Sequence, residues 1–92
     1  MPPDFAKFAE LHETWIQNLR DFLNTEVELG ITFASLAKYY RKSGDAEHYE
    51  TSKHNALTAL AAVNHFKDRL PRDLKAELDT RRSELAQLIS TL

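Results

Sequence analysis

Four histidines and fourteen carboxylates are the only metal-capable side chains of this 92-residue chain, which has no cysteine. Without cysteine there are no disulfides, thiolate metal sites or thiol nucleophiles, a composition that fits a reducing compartment. A zinc ion needs three or four convergent ligands, and the spacing of the histidines does not supply them. His54 and His65 share one helix face but stand eleven residues apart, about 16 Å along a helix axis. Glu50 and His54 lie one turn apart and could chelate, yet two ligands without a third make a surface pair. There is no inward-facing Glu-x-x-His of the di-iron type. His12-Glu13 is followed three places later by Ile16, so the zinc-protease pattern is absent too. The two glycines are isolated and form no phosphate cradle, and no Ser-His-Asp arrangement can be inferred. The expectation is a chain without metal, cofactor or motif-borne catalytic residues, which leaves enzymatic activity without support in the sequence but still open.

The charge pattern narrows the partners further. Twelve Lys/Arg against fourteen Asp/Glu give a net charge of −2. The basic residues gather at Lys38-Arg41-Lys42, where a helix end accounts for them, and at Lys67-Arg69-Arg72-Lys75, which Asp68 and Asp73 interrupt. Neither is the stripe that a nucleic-acid binder presents. No apolar run approaches the roughly 20 residues of a membrane span, and Met1-Pro2-Pro3-Asp4 does not read as a signal peptide. These features point to a cytoplasmic protein whose partner is another protein or a second copy of itself, with neither nucleic acid nor membrane involved.

Hydrophobic residues at 42% and charged residues at 28% are a globular balance, enough for one small domain over residues 1–92. With two Gly and three Pro, breakers are too few for a sheet with many turns. Apolar residues recur every three or four positions throughout, so the class is all-α. Ser43-Gly44-Asp45 and Leu70-Pro71-Arg72 punctuate the chain. The segments are helices over 14–42, 46–70 and 73–91, preceded by an N-terminal helical segment, 1–13, set off by a cap at Thr14. Short connections make neighbours antiparallel, giving an up-down-up three-helix bundle with an additional N-terminal segment. The most regular row on the first helix runs through Phe5, Phe8, His12, Trp15, Leu19, Phe22, Glu26, Leu29, Phe33, Leu36 and Tyr40. A second row of Ile16, Leu23, Val27, Gly30, Ala34 and Ala37 lies beside it. From these rows and their counterparts the expected core is Trp15, Leu19, Phe22, Leu29, Phe33, Leu36, Leu60, Val63, Leu78 and Leu85.

The stretch from Phe33 to Asp45, followed by Ala56-Leu57, resembles a single tetratricopeptide repeat. Phe33, Leu36, Ala37, Tyr40, Gly44, Asp45, Ala56 and Leu57 match that pattern. Tyr49, Lys53 and Ala61 depart from it, standing where the family has a small alanine, an aromatic and a proline. The likeness covers residues 33–57, and no second copy follows. Microtubule-interacting-and-transport domains, three-helix bundles with a similar hairpin, are similar in length and order. Both resemblances imply an adaptor or peptide-binding role.

Two further features carry functional expectations. Glu26 and Arg81 interrupt the apolar rows, and counting from the turns puts both level with Ala61. They are expected to meet, either as an ion pair that fixes helix register or as the polar site of a small-ligand-binding or catalytic bundle. A close helix contact around Gly30, Ala59 and Ala62 would favour a helical interaction module, and a pocket there the ligand-binding or catalytic bundle. Phe5, Phe8 and Leu11 extend the apolar row beyond the end of the second helix. That overhang either folds back near His12–Thr14 or contacts another chain, and it is the candidate surface of an interaction or self-association module.

Overall fold

The computed structural model describes residues 4–92, and with no strand among them the chain is all-helical. Three helices follow one another: α1 (Asp4–Ser43), α2 (Ala46–Phe66) and α3 (Arg72–Ser90), with one 3-10 turn (Lys67–Arg69) before α3. The molecule measures 66 × 21 × 15 Å, and its long dimension is that of α1.

Each boundary has a local cause. Gly44 adopts φ 80°, its N–H bonds the Arg41 carbonyl, and the Asp45 N–H reaches back to Tyr40. This pair of bonds is the Schellman ending that a glycine beyond the last turn permits. Asp45 then caps α2, its carboxylate accepting from the His48 backbone N–H at 3.1 Å and lying 2.6 Å from the His48 ring. At the other end α2 stops at Phe66 rather than at residue 70. Pro71 confines Leu70 to extended backbone (ψ 149°), so the chain closes with a 3-10 turn and enters α3 at Arg72.

α1 differs most from expectation. It runs from Asp4 through Thr14 without a break, so residues 4–13 are not set off as a separate helix and do not fold back at His12–Thr14. Lengthening an existing helix adds a hydrogen bond per residue, whereas a break would require fresh nucleation. With no proline after position 3 and before 71, nothing forces one.

The core is built on a different face of α1 from the one that the largest side chains mark. Its buried residues there are Leu23, Val27, Ala34 and Ala37, with Gly30, facing Ala56, Ala59 and Val63 of α2 and Leu78 and Leu85 of α3. Leu70 joins Leu23, Val27, Val63 and Leu78 in one buried cluster, against which Leu19, Ile31, Phe66 and Leu74 pack. Of the ten expected core residues, Val63, Leu78 and Leu85 are buried and Leu19, Phe33 and Leu60 are half-buried. Trp15, Phe22, Leu29 and Leu36 are exposed. The cause is backbone proximity. A Cβ placed on Gly30 would come within 2.6 Å of Leu85 Cδ2 and 3.2 Å of Ala59 Cβ. Only the row of small residues lets three helices approach this closely.

Leu85→Ala should therefore lower unfolding free energy by about 2–5 kcal/mol in urea titrations. Leu36→Ala, measured where the chain is monomeric, should change it by less than about 1 kcal/mol. The His48 backbone N–H, aided by the His48 ring, holds the Asp45 carboxyl below the ordinary carboxylate range. A carboxyl depressed in the folded state adds stability that is complete above its unfolded pKa and lost as pH falls through the folded one. Asp45→Asn keeps an acceptor for the cap but loses that dependence. Its melting temperature should fall less than the parent's between pH 6 and 3, and Asp45→Ala should melt lower than both at pH 6.

Candidate interaction surface

Large apolar side chains occupy every seventh position of α1: Phe8, Trp15, Phe22, Leu29 and Leu36. A straight helix turns about 20° short of closure per seven residues, so these five form one slowly winding ridge. Trp15, Phe22, Leu29 and Leu36 are 46, 39, 44 and 39% exposed, and Phe8 is 71% exposed. Leu11 and Tyr39, each 65% exposed, flank the ridge near its two ends. Between successive ridge residues lie His12, Leu19, Glu26, Phe33 and Tyr40, the other half of a heptad seam. From Leu19 onward these are half-buried along the border with α2. Ring contacts mark that border: Phe22 tilts against Phe66 at 6.1 Å and Tyr40 stacks on His48 at 4.9 Å.

Two surfaces thus share one helix. The face of Leu23, Val27, Gly30, Ala34 and Ala37 packs within the chain, and the ridge of larger residues stays partly exposed beside it. The N-terminal third of α1 carries only the second. Residues 6–15 are exposed throughout, His12 stacks on Trp15 at 6.2 Å, and Phe8, Leu11, His12 and Trp15 line a shallow open depression. Phe8 and Leu11 of the expected surface lie here; the Phe5 side chain is outside the described residues. Sequence reasoning assigned the remaining ridge residues to the core. The row beside them has the same spacing at Ile16, Leu23, Gly30 and Ala37; what separates the two is the Gly30, Ala34 and Ala37 track, whose small side chains let other helices approach closely.

Arg81 does not meet Glu26. Its guanidinium lies 3.4 Å from Glu28 Oε1, and both side chains are substantially exposed. The level along the bundle was right to within two residues, but α3 lies against the Glu28 side of α1. Among the described residues Glu26 and Arg81 form no pair, and at the level of Gly30 the space between the helices is filled by Leu85 and Ala59. Other charges tie the ends of α3 to their neighbours. Lys75 lies 2.6 Å from Asp68, which lowers the Asp68 pKa and raises that of Lys75. Arg41 donates to the carbonyls of Thr91 and Leu92, and the Tyr49 hydroxyl to that of Leu92.

Among the described residues no group of three or more His, Asp or Glu could hold a metal ion, and no helix is long and apolar enough to cross a membrane. No family model matches the chain, and the comparisons found no matching curated protein and no matching solved structure.

A double-mutant cycle on Glu28 and Arg81 should return a coupling below about 1 kcal/mol, as solvent-exposed pairs do. Substituting Glu26 should leave the effect of Arg81→Ala unchanged. A coupling of several kcal/mol between Glu26 and Arg81 in thermal denaturation would contradict this placement.

Proposed function

We propose that this chain is a small helical interaction module that binds a partner helix along the α1 ridge. Its scaffold is an antiparallel, up-down-up three-helix arrangement, with the N-terminal third of α1 as an additional segment projecting beyond the other helices. One observation carries the proposal: Phe8, Trp15, Phe22, Leu29 and Leu36 recur every seven residues of α1 and are exposed, while its core is built on a separate face of Leu23, Val27, Gly30, Ala34 and Ala37. An apolar surface this extended on a small chain marks a contact, and the seven-residue period makes a helix its natural complement. The tetratricopeptide-like hairpin at 33–57 and the likeness to microtubule-interacting-and-transport domains fit the same role. Among the described residues no helix is long and apolar enough to cross a membrane, and the sequence has no basic stripe; the setting proposed with a protein partner is the cytoplasm.

The chain's single tryptophan reports on this surface, since Trp15 lies on the ridge. Acrylamide quenching of Trp15 should be strong in dilute solution. It should fall in a saturable way when the ridge is covered, whether by raising the chain's own concentration or by adding a synthetic amphipathic helix with leucine at a and d positions. Replacing Phe22, Leu29 and Leu36 together by Gln should abolish that protection while preserving a cooperative melt at high dilution. Unfolding of that variant, or quenching that neither addition changes, would refute the proposal.

A further inference from the structure

Building on the interaction role just proposed, we infer that the ridge is covered by a second copy of this chain, with the two α1 helices antiparallel about a two-fold axis crossing near Asn24 and Thr25.

Size and period favour a copy. At roughly 100 Å² apiece, Leu11, Tyr39 and the five ridge side chains expose about 700 Å², close to the ~800 Å² per partner of a standard interface. The ridge and its interleaved row span residues 8–40, five heptads, enough for a seam that pairs with its own image. The flanking positions Asn18, Thr25 and Thr32 are uncharged, so a copy can approach without like charges meeting along that edge.

Direction follows from three features. Asp4–Glu13 holds three carboxylates and one lysine, whereas Lys38–Ser43 holds Lys38, Arg41 and Lys42 and no acid. Only the antiparallel alignment sets the acidic end beside the basic one and opposes the helix dipoles. In a parallel, in-register pair Glu26 would face its own copy across the seam, an arrangement that leaves two carboxylates desolvated together. Antiparallel packing offsets them by about a turn, with Phe22 of the other copy opposite each. Finally, an antiparallel copy lays its projecting N-terminal third against the half of α1 that α2 supports, where Phe33 and Tyr40 border the ridge. Parallel helices would pair those projecting ends only with each other. In the antiparallel register Trp15 lies across from Phe33 of the copy, Leu19 from Leu29, and Asn24 from Asn24, which leaves the two Thr25 only about 3 Å apart along the axis.

Sedimentation equilibrium of the full chain over micromolar to millimolar concentration should show a monomer–dimer equilibrium, and Leu29→Lys should weaken it at least about 30-fold with a preserved cooperative melt. Because the chain lacks cysteine, single substitutions report direction cleanly. Thr25→Cys should oxidise to a covalent dimer, while Leu36→Cys should not, its copies standing about 36 Å apart along the axis. Cross-linking of Leu36→Cys but not Thr25→Cys would mean parallel helices and overturn the inference. So would a dimer that Leu29→Lys leaves intact, or a monomer at every concentration. In the last case protection of Trp15 by the added amphipathic peptide would still uphold the interaction role, and loss of that protection as well would end both.

Discussion

The close approach of three backbones at Gly30 governs the rest of this molecule. Leu85 and Ala59 sit where a side chain on residue 30 would have to go, and Ala34 and Ala37 continue the same narrow track along α1. A glycine in a helix interior costs roughly 1 kcal/mol relative to alanine. Here the loss is offset by the packing that the gap permits. The track determines how α1 is rotated about its own axis, and that rotation decides everything outside the core. With the small residues turned inward, the tryptophan, phenylalanines and leucines of the other row must turn outward.

The helical class was legible in the sequence because period and scarcity of breakers both pointed to it, and local chemistry such as Gly44 with Asp45 is visible in four or five residues. The rotation of α1 was not legible by side-chain size. Bulk suggests that Phe22, Leu29 and Leu36 belong inside, since burying them stabilises most. Shape complementarity selects the other row, because α2 brings Ala56 and Ala59 to the contact and a wide side chain opposite would hold the helices apart. The same rotation explains why Arg81 finds Glu28 rather than Glu26: counting residues from a turn fixes height along a helix, whereas azimuth depends on which face is buried. Phe8 and Leu11 were recognisable as a surface because they project past the length of α2. The ridge residues behind them were not, since they have an α2 beside them and still remain uncovered.

α3 adheres differently from α2. Between α1 and α2 the join is largely small apolar surface. The ends of α3 are additionally fastened by directional bonds, with Arg41 and Tyr49 holding the carbonyls at its C-terminal end and Asp68 and Lys75 bridging its N-terminal turn. Asp79 also draws Lys67 and Arg82 to one carboxylate. Exposed pairs of this kind add little stability singly, but they specify the seating of a helix whose core contribution rests mainly on Leu78 and Leu85.

The projecting third of α1 has a thermodynamic character of its own. It rests on no other part of the chain, yet it grows from a helix already nucleated by the core, so it avoids the initiation penalty, a factor of about 10⁻³, that an isolated peptide of its length would face. Each of its turns is then held by propagation alone, near the balance point between helix and coil. Whatever settles on Phe8 and Leu11 must first hold those turns in helical form, so association and helix completion become a single equilibrium. Affinity at this end consequently inherits the helix–coil transition's steep enthalpy, weakening on warming well before the core beneath Gly30 loosens.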